Sequence, residues 1–321
     1  MSAALLRVEG LDVRFGALHA VRDVSFSVAA GESLGVVGES GSGKSATMLA
    51  VMGLHDRHAA RVAARCLAVA GEDLAAAPES RLRALRGGTV GMVFQDPLAA
   101  LNPLYTAGFQ IAEVLRRHRG LTGAQAKAAA VDLLAQVGVP DPRRRALQYP
   151  HQFSGGMRQR VMIATVLAGR PRLLIADEPT TALDVTVQAG IVRLIRDIQA
   201  GSGLGLVWVT HDLALLARIA DRVMVMYAGQ VVETAPAAQL YASPRHPYTA
   251  GLLSSVARLD QPRGRRARAI PGQPPRMDRP IAGCAFAPRC ALRFERCAEP
   301  PPLIPTGAHG DAACWRAGEL G

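Results

Sequence analysis

Residues 38–45 read Gly-Glu-Ser-Gly-Ser-Gly-Lys-Ser, and this segment is the strongest single indication of the fold class. It fits the pattern G-x4-G-K-[S/T], in which the glycines let backbone N–H groups turn inward around phosphates. The apolar run Ser33 to Val37 precedes it and a helical stretch from Ala46 to Gly53 follows it, which is the context that a phosphate-binding loop requires. We predict that Lys44 reaches the β- and γ-phosphates of a nucleotide and that Ser45 binds Mg²⁺.

A second pattern pairs two carboxylates with a buried strand. The apolar run Leu173 to Ala176 ends in Asp177 and Glu178. Carboxyl ends of strands are where α/β sheets bind ligands, so Asp177 is predicted to hold Mg²⁺ and Glu178 to orient and polarise an attacking water. Taken alone this pattern is also compatible with a surface-exposed strand end.

The distribution of apolar residues predicts an α/β fold with a mainly parallel sheet. Residues 11–28 alternate as antiparallel strands do, and short apolar runs at 33–37, 90–94, 173–176 and 204–209 alternate with helical stretches at 108–138 and 155–169. We predict a nucleotide-binding domain over residues 1–255 that contains a helical subdomain at about 97–165. The composition then shifts to Pro, Arg, Gly and Cys, which predicts a separate extension over residues 256–321.

Composition limits the classes of protein. The chain has 321 residues, 49% of them hydrophobic, which is enough for a buried core, and we predict neither a transmembrane helix nor a signal peptide. The net charge is +11, yet only Lys44 and Lys127 of the 37 basic residues are lysine. We attribute the excess of arginine to a GC-rich genome; attraction to an anionic membrane or to nucleic acid is the alternative.

Five further segments, in order along the chain, give the sequence a resemblance to the ATP-binding-cassette (ABC) ATPases. Residues 153–157 (Phe-Ser-Gly-Gly-Met) resemble the ABC signature, although Phe153 and Met157 stand where the family commonly has Leu and Gln. Phe15 resembles the aromatic residue that stacks on adenine, and Gln95 resembles the glutamine of the glutamine loop. Ala182 to Asp184 resemble the D-loop, and His211 resembles the switch histidine.

The resemblance implies a P-loop ATPase with antiparallel and helical subdomains that dimerises head to tail. Each ATP would lie between the phosphate loop of one chain and the signature of the other, with Glu178, His211 and Gln95 as catalytic residues and Ser45, Gln95 and Asp177 at Mg²⁺. The implied nucleotide contacts are Phe15, Gly38, Glu39, Ser40, Gly41, Ser42, Gly43, Lys44, Ser45 and Ala46, and the contacts to the partner's ATP are Ser154, Gly155, Gly156 and Met157, with Asp184 in the D-loop.

Longer stretches indicate a branch of the family. Residues 149–164, 180–188 and 246–249 resemble the subunits that energise bacterial dipeptide, oligopeptide and nickel importers. The implied partners are a second ABC ATPase subunit, homologous or identical, two transmembrane permease subunits and, indirectly, an extracytoplasmic solute-binding protein; no nucleic acid is implied. The implied location is the cytoplasmic face of the cell membrane. Alternatives are a nickel or other small-solute importer, a non-transport ABC ATPase acting on DNA, and a P-loop kinase or GTPase.

Four of the five cysteines fall in the last 40 residues. Cys284, Cys290, Cys297 and Cys314 have the spacing C-x5-C-x6-C-x16-C, whereas zinc sites usually contain a tighter C-x2–4-C pair. The segment that begins at Gly283 resembles the C-terminal extension of the importer group, and this resemblance implies a [4Fe–4S] cluster. Zinc and unligated thiols remain alternatives, while disulfides are disfavoured in a reducing compartment.

Overall fold

The structure is a computed structural model that describes residues 4–180, 183–255, 269–307 and 310–320. These residues form two compact units. The first unit contains described residues 4–6, 28–32, 68–180 and 183–207, and the second contains 7–27, 33–67, 208–255, 269–307 and 310–320. Among the described residues no helix has both the length and the apolar character needed to cross a bilayer.

The strands of the described residues lie between residues 4 and 93, between 173 and 236, and between 304 and 312. In chain order they are β1 (Ala4–Phe15), β2 (Leu18–Ala29), β3 (Ser33–Val37), β4 (Arg61–Ala63), β5 (Cys66–Val69), β6 (Glu72–Asp73), β7 (Val90–Val93), β8 (Leu173–Asp177), β9 (Gly205–Thr210), β10 (Arg222–Tyr227), β11 (Gln230–Pro236), β12 (Ile304–Pro305) and β13 (Asp311–Ala312). The division between the units falls within β1, β2, β5 and β9.

The α-helices of the described residues are concentrated between residues 97 and 255. In chain order they are α1 (Lys44–Val51), α2 (Glu79–Leu85), α3 (Pro97–Ala100), α4 (Ala107–Arg119), α5 (Gly123–Gln136), α6 (Pro142–Arg145), α7 (Gly155–Ala168), α8 (Val185–Ser202), α9 (Leu213–Ile219), α10 (Ala237–Ala242) and α11 (Pro247–Ser255). Short 3₁₀ turns cover Pro150–Gln152, Ala287–Arg289 and Glu295–Ala298.

In the first unit two parallel strands lie beside a group of helices. β7 and β8 pair in parallel with Val93 opposite Ala176, and every residue of both strands is buried. Helices α4, α5 and α7 pack together on buried side chains such as Ile111 and Leu134. The strands predicted at 90–94 and 173–176 and the helix predicted at 155–169 are therefore confirmed.

The helical stretch predicted over residues 108–138 is confirmed, and it consists of two helices. α4 ends at Gly120, whose φ of 64° is a left-handed conformation that glycine adopts without steric cost. α5 begins after Thr122, which forms a reciprocal capping box with Gln125. The residue that ends α4 and the residue that caps α5 are thus only two positions apart in the sequence.

In the second unit the strand before the phosphate loop is central. β3 is buried throughout, as predicted, and pairs in parallel with β10, where Val37 lies opposite Val225. β10 pairs with β11 in antiparallel fashion, and the tail continues the sheet as β13 and then β12. The described part of the cysteine-containing tail therefore lies in the same unit as the phosphate loop.

Candidate functional site: a phosphate loop and two carboxylate and glycine clusters

The phosphate loop joins β3 to α1, and at two of its glycines a side chain would collide with backbone atoms. A Cβ atom on Gly38 would lie 2.2 Å from the Met226 carbonyl oxygen, and one on Gly43 would lie 2.5 Å from the Ala20 carbonyl oxygen. Gly43 also has a φ of 99° at the start of the helix. The backbone of the loop therefore depends on glycine for close packing as well as for its turn.

Lys44 lies against the loop that it follows. Its side chain is buried, and Nζ donates hydrogen bonds to the carbonyl oxygens of Gly38 (2.7 Å) and Glu39 (3.0 Å). Ser45 is exposed at the next position of α1, and the buried Ser42 hydroxyl has no hydrogen-bond partner among the described residues. A buried ammonium group, an exposed hydroxyl and an N–H-rich turn at a helix N-terminus suit a nucleotide phosphate with its Mg²⁺.

Phe15 stands at the end of β1 in the same unit as the phosphate loop. Its ring contacts that of His55 edge to face, with ring centroids 5.3 Å apart. His55 Nε2 in turn donates to the Ala46 carbonyl oxygen at 2.8 Å, so His55 connects the predicted adenine-stacking residue with helix α1. The sequence analysis did not single out His55, and no pattern in its neighbourhood indicates this position.

In the first unit the predicted catalytic carboxylate meets the predicted glutamine. Gln95 follows β7 and Glu178 follows β8, and Gln95 Nε2 donates to Glu178 Oε2 at 3.2 Å. Glu178 has a φ of 45°, which a non-glycine residue rarely adopts and which is common at functional sites. Asp177, the last residue of β8, is buried. Neighbouring parallel strands thus bring these three residues to one sheet edge.

The signature residues and the D-loop aspartate line one open pocket of about 320 Å³ in the first unit. Ser154 and Asp184 are the N-caps of α7 and α8, where their side chains accept hydrogen bonds from the Met157 and Val187 N–H groups. Two helix N-termini with their positive dipole ends therefore face a common space. The pocket is lined by Ser154, Gly155, Gly156, Met157, Arg160, Leu183, Asp184 and Val187. Ala182 lies outside the described residues.

The two signature glycines differ in their surroundings. A Cβ on Gly156 would come within 2.8 Å of the Val187 Cγ1 atom, whereas one on Gly155 would meet only the Leu183 side chain, at 3.9 Å. Arg160, which the sequence analysis missed, adds a positive charge to this pocket. The helical spacing from Gly156 to Arg160 was the available signal.

His211 lies in the second unit, directly after β9. It is exposed, and the following Asp212 caps α9 by accepting a hydrogen bond from the Leu215 N–H at 3.0 Å. The structure therefore brings two groups of the predicted residues together, both in the first unit. Gln95, Asp177 and Glu178 form one group, and the signature with Asp184 forms the other. The phosphate loop, Phe15 and His211 lie in the second unit.

The four tail cysteines lie on one cavity of about 20 Å³ that Phe286 and Trp315 also line. All four are free thiols, and burial raises the pKa of Cys284, Cys290 and Cys314. Soft thiol ligands suit iron–sulfur chemistry. Within the described part of the chain, however, no three His, Cys, Asp or Glu side chains are arranged to bind a metal ion. The expected [4Fe–4S] cluster and the zinc alternative are therefore not supported by this arrangement.

Known proteins resemble the chain along nearly its full length. The family model described as ABC transporter matches residues 21–181, and the model described as oligopeptide/dipeptide transporter, C-terminal region, matches residues 232–297. A protein of Brucella abortus (strain 2308), provisionally named peptide import ATP-binding protein, is 48% identical over 98% of both chains. A second protein of that strain with the same provisional name is 49% identical over 94% of this chain and 92% of its own.

Solved structures resemble the fold. The ATP-binding cassette MJ0796, in a dimeric post-hydrolysis state bound to ADP and phosphate, superimposes with a TM-score of 0.64 at 28% identity. The match covers 72% of this chain and 98% of the cassette.

Proposed function

Because the chain belongs to the ABC transporter family, we propose that it is the ATP-hydrolysing subunit of a membrane importer for dipeptides or oligopeptides. The observation that carries the substrate class is the match of residues 232–297 to the oligopeptide/dipeptide transporter C-terminal region. The two Brucella relatives, whose names refer to peptide import, support the same class.

The residues of the second unit would bind ATP. The loop from Gly38 to Gly43 offers backbone N–H groups to the phosphates, Lys44 would exchange its carbonyl partners for phosphate oxygens, and Phe15 would stack on the adenine. Mg²⁺, when bound by Ser45, Asp177 and Gln95, would neutralise charge on the β- and γ-phosphates.

Hydrolysis would transfer the γ-phosphoryl group to water. Glu178 would accept a hydrogen bond from the attacking water and take its proton as the water oxygen bonds to the γ-phosphorus. The bond between that phosphorus and the β,γ-bridging oxygen would break, so that ADP leaves with the bridging oxygen. Gln95, which already contacts the Glu178 carboxylate, would keep that group in place. His211 and Lys44 would stabilise the negative charge that develops on the γ-phosphate oxygens.

The site would be complete only in a dimer. Ser154, Gly155, Gly156 and Met157 line a pocket within one unit of one chain, where two helix N-termini supply donors for an anion. We propose that this pocket and Asp184 contact the ATP bound by a second ABC ATPase subunit, identical or homologous. The dimeric state of the cassette MJ0796 supports this arrangement.

The proposed assembly includes two transmembrane permease subunits and is fed by an extracytoplasmic solute-binding protein. The ATPase subunit would attach peripherally at the cytoplasmic face of the cell membrane. The domain limits expected from the sequence, residues 1–255 with a helical part at about 97–165 and an extension over 256–321, remain part of this proposal. Residues 256–268 of that extension lie outside the described residues.

For the tail we propose a [4Fe–4S] cluster held by Cys284, Cys290, Cys297 and Cys314. Its support is the resemblance of the tail to the importer group. The four free thiols share one cavity but would have to move together to become ligands. Iron and acid-labile sulfide in the anaerobically purified protein, absent from the Cys284→Ser variant, would establish the cluster. A protein that contains only zinc, or no metal, would contradict it.

Transport in proteoliposomes tests the proposed function. The chain is assembled with its permeases and its ATPase partner, the solute-binding protein is added outside, and uptake of labelled peptides and ATP hydrolysis are measured. We expect peptide-dependent uptake that is lost with Lys44→Ala. Uptake of Ni²⁺ but not peptide would favour the small-solute alternative, and stimulation of ATP hydrolysis by DNA rather than by permeases would refute the importer.

A further inference from the structure

Glu39, the second residue of the phosphate loop, is held at three separate points. Its N–H group donates to the Tyr248 hydroxyl at 2.8 Å. Its carbonyl oxygen accepts from Lys44 Nζ at 3.0 Å, and its carboxylate pairs with Arg289. The first and third contacts come from residues far along the chain, so the conformation of the loop depends on more than its own sequence.

Arg289 reaches Glu39 from the C-terminal tail. Nη1 and Nη2 donate to the two carboxylate oxygens of Glu39 at 2.6 and 2.9 Å, a two-pronged pairing that only arginine provides. The Arg289 side chain is only 4% exposed, while that of Glu39 is 28% exposed. The carboxylate raises the pKa of Arg289, so the guanidinium stays charged. Removing either partner would leave the other charge poorly compensated.

The rest of the Arg289 side chain is fixed as well. Nε donates to the Pro271 carbonyl oxygen at 2.9 Å, and Nη1 donates to the Tyr227 hydroxyl at 3.3 Å. The guanidinium lies 5.8 Å from the Tyr227 ring centroid and 6.0 Å from that of Phe286, within the range of cation–π attraction. The tail residue Phe286 packs on Tyr227 and Tyr248 with ring centroids 5.4 Å apart.

The tail also touches the segment that follows the predicted adenine-stacking residue. His19, four residues after Phe15, donates its backbone N–H to the Met277 carbonyl oxygen at 2.9 Å. The tail thus contacts the phosphate loop through Arg289 and the β1–β2 region through Met277. Both contacts lie within the second unit.

The negative charge of Glu39 means that its contacts with the tail can affect the binding of ATP. A carboxylate in a loop that binds a triphosphate repels the ligand, and the repulsion increases when that carboxylate is unpaired and free to turn toward the phosphates. Arg289 both neutralises the carboxylate and keeps it turned toward the tail. We propose that Arg289 is a positioning residue for ATP binding. Through Arg289 the C-terminal tail would contribute directly to the affinity of the nucleotide site. This inference rests on the proposed ATP site and extends it.

Four variants of the full-length chain test the inference by titration with a fluorescent ATP analogue. We expect Arg289→Gln to weaken binding about 10- to 30-fold, as an unpaired charge near the phosphates implies. Glu39→Gln removes the repelling charge, so it should bind ATP more tightly than Arg289→Gln does. The double variant Arg289→Gln/Glu39→Gln should bind better than Arg289→Gln alone. Arg289→Lys keeps the charge but loses the two-pronged pairing, so it should bind more tightly than Arg289→Gln and more weakly than the wild type.

The rescue by Glu39→Gln separates positioning from support of the fold. If Arg289 only stabilised the tail, the double variant would bind no better than Arg289→Gln, and that result would overturn the inference, as would unchanged binding by folded Arg289→Gln. Thermal unfolding identifies a variant that fails to fold; Arg289→Lys and the double variant then decide the outcome. Arg293→Ala, which changes an exposed tail arginine, is the matched control. A wild-type chain that binds no ATP would overturn the proposed function itself.

Discussion

Gln95 and Glu178 lie 83 residues apart in the sequence, yet Gln95 Nε2 donates a hydrogen bond of 3.2 Å to Glu178 Oε2. The parallel pairing of β7 with β8 produces this contact, since each residue follows the carboxyl end of its strand. Glu178 is also held in a left-handed backbone conformation. The carboxylate is thus positioned by its own backbone and by a neighbouring amide.

Replacing Glu178 with Gln should separate binding from turnover. The amide keeps the size of the side chain and cannot take a proton from water, so we expect kcat to fall by about a hundredfold to ten-thousandfold. Affinity for ATP should stay within about threefold of the wild type, because the phosphate loop is unchanged. Steady-state hydrolysis by the assembled transporter and ATP-analogue titration measure the two quantities. Unchanged turnover would remove Glu178 from the role of base.

Replacing Gln95 should test the contact itself. Gln95→Ala removes the donor that holds the Glu178 carboxylate, and a misplaced catalytic group can cost up to about a hundredfold in rate. Gln95→Glu keeps the length of the side chain but puts a second carboxylate beside Glu178. We expect its kcat to be no higher than that of Gln95→Ala. If Gln95→Glu instead retained wild-type kcat, the hydrogen bond would have no catalytic role.

The sequence predicts those parts of the site that depend on residues close together in the chain. Two strands of the site are short apolar runs in the sequence. The run from Ser33 to Val37 is followed by the glycine-rich loop, and the run that begins at Leu173 ends in carboxylates. Such patterns specify an element and its end without reference to the rest of the fold.

Contacts between distant segments could not be predicted in this way. In the segment Ala287-Pro288-Arg289-Cys290 the sequence analysis considered only the cysteine. No local pattern indicates that Arg289 pairs with Glu39, which lies 250 residues earlier. The helical stretch at residues 108–138 was predicted without its division into two helices. The signals for that division are local, since α4 ends at Gly120 and α5 begins after Thr122.

The two signature glycines provide a paired test of packing against function. An alanine Cβ at Gly156 would crowd the Val187 Cγ1 atom at 2.8 Å, whereas at Gly155 it would meet an ordinary contact. Overpacking costs about 1–3 kcal/mol, so we expect Gly156→Ala to be less stable than Gly155→Ala by about that amount in urea unfolding. Both gain similar helix propensity, so the difference isolates the clash.

The same pair tests the dimeric site. We expect Gly155→Ala to be as stable as the wild type and yet to lose most of its ATP hydrolysis, because the added methyl group faces the pocket where the partner's ATP would bind. Binding of ATP to the isolated chain should be unaffected. Full hydrolysis by Gly155→Ala would argue against contact between the signature and the partner's ATP.

Replacing Phe15 with Ala should weaken the binding of adenine but not that of phosphates. Stacking of an aromatic side chain on a base contributes about 1–3 kcal/mol, which corresponds to an approximately 5- to 150-fold loss of ATP affinity. Inorganic tripolyphosphate has no base, so its affinity for the phosphate loop should be equal in Phe15→Ala and the wild type when measured by calorimetry. Phe109→Ala is a suitable control, since Phe109 is an exposed aromatic residue of the first unit that stacks on Tyr105. An equal loss of affinity for both ligands would show that Phe15 supports the loop through His55, whose ring it contacts, instead of binding the base.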